Sequence, residues 1–182
     1  IRGTCYMTEP VNTPLGAAQC PSFEQVRDNK KEYAKATKIQ YDWQDEVYGK
    51  TVIQRHGNMM LVQNPPAKSL TTEELDYIYS LPYTRRYHPS YEALGGVPGI
   101  EEVRFSITHN RGCFGYCNFC SIALHQGRKI TVRSEKSVLA EAERITKMPD
   151  FKGYIHDVGG PTANFRHTSC EKQIEKGGPV TV

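Results

Sequence analysis

The sequence of 182 residues has no apolar run long enough to cross a bilayer, and no charged-then-apolar segment at its start. It also has little net charge, +3, and its basic residues are scattered, which neither predicts nor excludes nucleic-acid binding. Internal repeats and low-complexity stretches are missing as well. These absences leave a folded globular protein with no attachment to a membrane, which we expect to be cytoplasmic.

The two ends of the chain carry no recognisable start or closing element. The sequence begins at Ile1, its first methionine is Met7, and residues 177–182 read Gly-Gly-Pro-Val-Thr-Val. We therefore expect a segment of a longer protein, long enough for one sizeable domain or two small ones.

The first third of the chain predicts one helix and one hairpin after a loop-like stretch over residues 1–21. Ser22 and Gln25 have the spacing of a capping box, which predicts a helix over about 22–37. The hairpin is predicted from strand-like runs at 51–55 and 59–63, which are joined by a His-Gly-Asn turn.

The rest of the chain predicts alternating strands and helices. A second capping box, Thr71 with Glu74, starts a helix that Pro82 ends. Farther on, a strand over 102–108, a helix over 134–147 and a strand over 153–158 form a βα repeat, which favours parallel strands. The predicted apolar stripe of the helix is Val138, Leu139, Ala142 and Ile145; its predicted solvated face is Glu135, Lys136, Glu141, Glu143, Arg144 and Lys147.

Three of the six cysteines lie within eight positions, at Cys113, Cys117 and Cys120, in the loop that follows the first strand of this repeat. Without a secretion signal, such a cluster indicates a metal or redox site rather than disulfides. Soft thiolates suit an iron–sulfur cluster or zinc. A structural zinc site requires a fourth ligand. His125 is nearby and Cys170 is remote, and neither completes a familiar zinc pattern. Three ligands on a cubane cluster would leave one iron open.

The cysteine spacing Cys-x3-Cys-x2-Cys, with Phe119 before the last cysteine, resembles the radical S-adenosylmethionine (SAM) superfamily. The wider sequence resembles its YgiQ-like group over nearly the whole chain. The runs that carry this resemblance are 1–6, 81–83, 111–122, 125–128, 133–135 and 157–164.

The resemblance implies a set of cofactor contacts. The three clustered cysteines would ligate a [4Fe–4S] cluster, whose fourth iron would bind the amino and carboxylate groups of SAM. Phe119 would lie near the adenine, and the backbone of Gly159 and Gly160 would meet the SAM amino group. The Gly-Gly motif usually continues with Glu, where this sequence has Pro161.

The resemblance also implies an α/β fold, the start of a partial (βα)6 radical SAM barrel preceded by an α+β connecting region. Residues 1–100 would be the connecting region and residues 101–182 the N-terminal part of the barrel. The full protein would add a cobalamin-binding-like domain before Ile1 and further strands after Val182.

In function, the resemblance implies a radical SAM enzyme that uses an external electron donor to form a 5′-deoxyadenosyl radical and acts on an unknown substrate. We expect the isolated segment to be inactive. The alternative is a structural zinc module, or an electron-transfer iron–sulfur module without SAM chemistry.

Overall fold

A computed structural model describes residues 1–115, 117–160 and 165. The chain divides into two compact units, an N-terminal unit over Ile1–Ser69 and a C-terminal unit over Leu70–Val182. Helices and strands occur in both units, so the mixed α and β content expected from the sequence is confirmed.

The N-terminal unit contains a four-stranded sheet in the order β1-β4-β3-β2. Its strands are β1 (Cys5–Thr8), β2 (Ala18–Gln19), β3 (Val52–His56) and β4 (Met59–Gln63). The predicted hairpin is confirmed as β3 and β4, and Gly57 between them has φ +57°, as a tight hairpin turn requires. The prediction of a loop over residues 1–21 was wrong where β1 pairs antiparallel with β4 and β2 pairs parallel with β3.

The predicted first helix is two helices in the structure, α1 (Phe23–Asp28) and α2 (Lys30–Trp43). The capping box of Ser22 and Gln25 is confirmed. Asn29 then interrupts the helix, because its extended backbone ends α1 while its side chain accepts a 2.9 Å hydrogen bond from the Lys31 amide and caps α2. Asparagine offers the backbone this local alternative to helical bonding.

Two small apolar clusters stabilise the N-terminal unit. The first is Cys20, Ala36 and Val52, with Trp43 and Ile39 among the half-buried residues around it. The second comprises Ile53, Met60 and Val62 from the two strands of the hairpin. Both clusters lie against the sheet, since each takes residues from β3.

The C-terminal unit starts with α3 (Thr72–Ser80), whose capping box of Thr71 and Glu74 is confirmed. The strand expected over 102–108 is mostly wrong: α4 (Ile100–Val103) comes first, and β5 covers only Ile107–Thr108. Two glutamates in the first turn favour this short helix, because acidic groups stabilise a helix N-terminus.

The remaining elements of the C-terminal unit are short, except for one helix. They are β6 (Asn110–Arg111), α5 (Ile122–Gln126), β7 (Thr131–Val132), α6 (Glu135–Thr146) and β8 (Val158–Gly159). The predicted helix is confirmed as α6 with Ser134 as its N-cap, although Leu139 of its expected apolar stripe is exposed. The strand predicted over 153–158 is mostly wrong, because β8 shares only Val158 with that range.

The expected parallel pairing is confirmed, because β5 and β8 pair in parallel with α6 between them in sequence. Phe105, Ile107 and Ile145 form the core between this strand pair and α6, with Val138 and Ala142 among the residues that pack against them. The C-terminal unit thus contains a parallel β-α-β arrangement, and the carboxyl ends of β5 and β8 lie next to each other.

Candidate functional site

The cysteine loop is closed at its base by a short antiparallel pair. In this pair Asn110 lies opposite Val132 and Arg111 opposite Thr131. Inside the base, the Cys113 amide donates a 3.1 Å hydrogen bond to the Gly127 carbonyl. The loop is therefore held at both ends by backbone hydrogen bonds, and α5 occupies part of the chain between them.

Gly112 fits the base of the loop only because it lacks a side chain. Its φ is +86°, and a Cβ at this position would stand nearer than 3.0 Å to the Lys129 carbonyl oxygen. The Gly112 amide donates a 3.3 Å hydrogen bond to Oε1 of Gln126, at the end of α5. These contacts fix the chain immediately before Cys113.

The first two cysteines of the motif approach the same glycine. A Cβ on Gly115 would stand 3.4 Å from Sγ of Cys113 and 3.7 Å from Sγ of Cys117. The Gly115 amide donates to Sγ of Cys113 at 3.4 Å, and the Cys117 thiol donates to the Gly115 carbonyl at 3.8 Å. Both sulfurs therefore lie on the same side of Gly115, where a Cβ would be in van der Waals contact with each of them.

The third cysteine is linked to the second through the backbone. The Cys120 amide donates a 2.9 Å hydrogen bond to the Cys117 carbonyl, which closes a turn. Cys113 and Cys120 are half-buried and Cys117 is exposed. Across residues 1–115, 117–160 and 165, no three histidine, cysteine, aspartate or glutamate side chains gather as a metal-binding group. The assignment of all three cysteines as ligands stays a prediction.

The donor chemistry of the loop nevertheless fits an iron–sulfur cluster. Thiols are the ligands that such clusters use, and two of them already share one face of the loop beside Gly115. Of the other cysteines, Cys20 is buried in the first apolar cluster and Cys5 is exposed on β1. Cys170 lies outside the described residues.

Phe114 and Phe119 of the loop are open to solvent. Phe119, the predicted adenine neighbour, is 93% exposed. Phe114 is half-exposed, and its ring centroid lies 4.8 Å from that of Phe165. The contact of Phe165 is not predictable from the sequence, because nothing in its local pattern indicates a partner some fifty positions earlier in the chain.

The Gly-Gly pair lies beside the base of the cysteine loop. Thr108 pairs with Gly159 in the parallel ladder, and the His109 amide donates a 2.9 Å hydrogen bond to the Gly159 carbonyl. A Cβ on Gly160 would stand nearer than 3.0 Å to both side-chain amide atoms of Asn110. The structure therefore brings the Gly-Gly pair next to the start of the cysteine loop, whereas Pro161 lies outside the described residues.

A buried charged cluster supports the strand before the loop. Glu141 is 4% exposed and forms ion pairs with Arg85 and Arg133. Arg133 also donates a 2.8 Å hydrogen bond to the Thr108 carbonyl, and its guanidinium lies 4.1 Å from the ring centroid of Tyr79. The expectation that Glu141 belongs to the solvated face of its helix was wrong, because both of its oxygens face buried arginines.

Arg85, in the segment between α3 and α4, contacts the chain just before β5. It donates hydrogen bonds of 2.8 and 3.1 Å to the carbonyls of Arg104 and Ser106. Its own backbone has φ +54°, which is uncommon for a residue with a side chain. Burial lowers the pKa of Arg85 and of Arg133, and in both cases the positive charge of Arg144 adds to the effect.

Comparison with known proteins gives a family and uncharacterised relatives. A family model described as radical SAM N-terminal matches residues 1–106, which end where β5 begins. A UPF0313 protein of Clostridium botulinum strain 657 is 55% identical over 177 residues, which cover 97% of this chain and 28% of the relative. A UPF0313 protein of Clostridium perfringens strain 13 is 52% identical over 178 residues, which cover 97% of this chain and 27% of the relative.

The chain spans little more than a quarter of the length of the curated relatives it matches. No solved structure matches it. Within the described residues, the helices are too short or too polar for any of them to cross a membrane.

Proposed function

The chain belongs to the radical SAM N-terminal family, and from this premise we propose that it is part of a radical SAM enzyme that binds a [4Fe–4S] cluster and SAM. The observation that carries the proposal is the position of the Cys113 and Cys117 sulfurs. Both lie beside Gly115, in a loop at the carboxyl end of β5. Ligands of parallel α/β folds gather at that end of the strands.

In this proposal Cys113, Cys117 and Cys120 ligate three irons of the cluster as thiolates. When bound and reduced, such a cluster supplies the electron that cleaves SAM to methionine and a 5′-deoxyadenosyl radical, which takes hydrogen from the substrate. The base of the loop around Gly112 holds Cys113 in place, and the exposed thiol of Cys117 is accessible to the incoming cluster.

The chain's contacts with SAM are proposed from the neighbouring residues. The backbone of Gly159 and Gly160 takes the amino group of SAM, and the exposed ring of Phe119 covers the adenine. Support comes from the ladder that joins β5 to β8, since it puts the Gly-Gly pair beside the start of the cysteine loop. The usual glutamate is replaced by Pro161, so we propose no contact from that position.

For the whole protein we propose a place in the YgiQ-like group of the superfamily, a cytoplasmic location and an external electron donor. Residues 1–100 would form the connecting region and residues 101–182 the start of a partial (βα)6 barrel. The relatives are more than three times as long as this chain, so we propose that the remaining sequence supplies most of the substrate site. The 182-residue chain alone should therefore not turn over SAM.

The test is anaerobic reconstitution with iron and sulfide, followed by iron counting and electron paramagnetic resonance with and without SAM. The full-length protein should hold four irons per chain for this cluster, and its signal should shift on addition of SAM because SAM binds the open iron. Cys113→Ala, Cys117→Ala and Cys120→Ala should each abolish the cluster.

Cys5→Ala is the matched control, because Cys5 is exposed on β1 and outside the loop. It should leave the iron content and the signal unchanged. Tight zinc without a cluster would replace the proposal with a structural module. A cluster whose signal ignores SAM would replace it with an electron-transfer role.

A further inference from the structure

Asn110 is a buried polar residue that the sequence analysis did not single out. It is the first residue of β6, its exposed fraction is 1%, and it precedes Cys113 by three positions. A polar side chain so fully enclosed is normally held by specific neighbours. Its backbone belongs to the base of the cysteine loop, through the pairing of Asn110 with Val132.

The side chain of Asn110 points to the other predicted cofactor element. Both its Oδ1 and its Nδ2 occupy the space next to the Gly160 Cα where a Cβ would stand. This close approach is possible only because position 160 is glycine. Asn110 has a short side chain with few rotamers, and its burial leaves it no open path into solvent.

The backbone around the two residues limits how far either can move. The Ile107 amide donates a 2.8 Å hydrogen bond to the Asp157 carbonyl, and the His109 amide donates one to the Gly159 carbonyl. The residues next to Asn110 and Gly160 are thus tied together by the parallel ladder. Asn110 is the side chain that fills the space between the loop base and the Gly-Gly segment.

We infer that Asn110 is a positioning residue for SAM, which holds the backbone of Gly160 at a fixed place relative to the cysteine loop. The inference rests on the proposed function. SAM would be bound through its amino acid group by both the open iron and the Gly-Gly backbone, so its affinity depends on the spacing of these two elements. The Asn110 side chain sets that spacing, because it lies in direct contact with Gly160.

A double-mutant cycle on the reconstituted full-length protein tests the inference, with SAM affinity as the readout. Gly160→Ala should weaken SAM binding by about tenfold or more, because the added methyl overlaps the Asn110 amide. Asn110→Ala should weaken it by a smaller factor, about threefold to tenfold, because the glycine segment loses its support. In the double variant much of the loss from Gly160→Ala should be recovered, because the methyl then has room.

Additive losses in the cycle would overturn the inference, since they would mean that the two positions act independently. Iron content and the electron paramagnetic resonance signal without SAM should stay unchanged in every variant. A general loss of folding would lower both. If Asn110→Ala lowers the iron content, Asn110→Ser takes its place in the same cycle, because its hydroxyl keeps a polar group in the buried position. Asn12→Ala, an exposed asparagine of the N-terminal unit, is the control and should change nothing.

The outcomes separate this inference from the proposed function. If the unaltered protein forms no cluster, or if its signal does not change on addition of SAM, both the proposed function and the role of Asn110 are contradicted. An unaltered protein that binds SAM, together with an Asn110→Ala variant that binds it equally well, contradicts the role of Asn110 alone.

Discussion

The strands β1, β3 and β4 of the N-terminal unit run for four or five residues, whereas β5, β6, β7 and β8 of the C-terminal unit have two residues each. A ladder of four or five residues pairs the backbone groups that its two strands direct toward each other over that length. The two-residue β2 is the exception within this sheet. A two-residue ladder leaves neighbouring carbonyls that need other donors. The two units therefore satisfy their backbones in different ways.

In the C-terminal unit, buried arginines supply the missing donors. Arg133 donates to the Thr108 carbonyl, and Arg85 donates to the Arg104 and Ser106 carbonyls. Glu141 forms an ion pair with each arginine, one through each carboxylate oxygen. The strand before the cysteine loop is thus fixed by a charged cluster, whereas the ion pairs Arg27–Asp28, Lys35–Glu32 and Lys38–Asp42 of the N-terminal unit lie at its surface.

The largest expected effect on stability, and the strongest test of this contrast between the units, comes from replacing Glu141. In Glu141→Ala two buried guanidinium groups lose their counter-charge, which typically costs about 3–5 kcal/mol for a buried pair. We expect the free energy of unfolding to fall by about this amount, measured by chemical denaturation. We also expect faster amide exchange around Thr108, because Arg133 is no longer held in place.

Glu143→Ala is the matched control on the same helix. Its carboxylate pairs with Lys147, but the glutamate side chain is 68% exposed, and exposed pairs contribute about 0–1 kcal/mol. Equal losses for the two glutamates would contradict the role given to the buried cluster.

An intermediate effect on stability should come from replacing Gly112. The matching glycine of the N-terminal unit is Gly57. In Gly112→Ala the new methyl would overlap the Lys129 carbonyl oxygen, and the residue would keep an unfavourable φ of +86°. Gly57 of the hairpin also has a positive φ, but a Cβ there would meet nothing within 4 Å. We expect Gly57→Ala to cost about 1–2 kcal/mol, and Gly112→Ala to cost clearly more.

The measurement for this pair is chemical denaturation, with iron content after reconstitution as a second readout. Gly112→Ala should lower both the stability and the iron content, because it disturbs the chain before Cys113. Gly57→Ala should lower the stability only. A Gly112→Ala protein with full stability and full iron content would show that the base of the loop tolerates a side chain.

How much of the structure the sequence predicted depends on whether a feature is local or non-local. Local signals were reliable, since the capping boxes at Ser22 and Thr71 and the turn at Gly57 depend only on nearby residues. The split of the first helix at Asn29 was missed, although asparagine is a helix-capping residue, because the apolar pattern continues across it.

Non-local contacts were the part that the sequence could not show. Glu141 reads as a surface residue until Arg85, more than fifty positions away, is brought to it. The contact between Asn110 and Gly160 depends on the register of β5 and β8, and two-residue strands carry too little pattern to predict a register. The cysteine spacing, by contrast, indicated the loop from local sequence alone, and the role of its three cysteines as ligands stays a prediction.

The smallest predicted effect concerns the pH dependence of the N-terminal unit. Burial raises the pKa of the Cys20 thiol above its ordinary value of 9.0. Above that pH the unfolded chain loses the thiol proton while the folded chain keeps it, so the free energy of unfolding falls as pH rises past 9.0. The slope from one thiol is at most about 1.4 kcal/mol per pH unit.

Cys20→Ala should remove this slope, although the variant is less stable at every pH because it leaves a small cavity. Denaturation from neutral to alkaline pH, compared between the two proteins, measures the difference. Parallel curves would mean that the thiol stays neutral in both states or ionises equally in both.

Gly112 and Gly160 of the C-terminal unit have no room for a Cβ, but they differ in whether a second substitution can make room for one. The atom that excludes a side chain at Gly112 is a main-chain oxygen, which every residue at position 129 carries, so no second substitution can relieve it. The atoms that exclude one at Gly160 belong to Asn110, which a mutation can shorten. A side chain at position 160 therefore fits only after position 110 has been shortened, whereas position 112 has no such route.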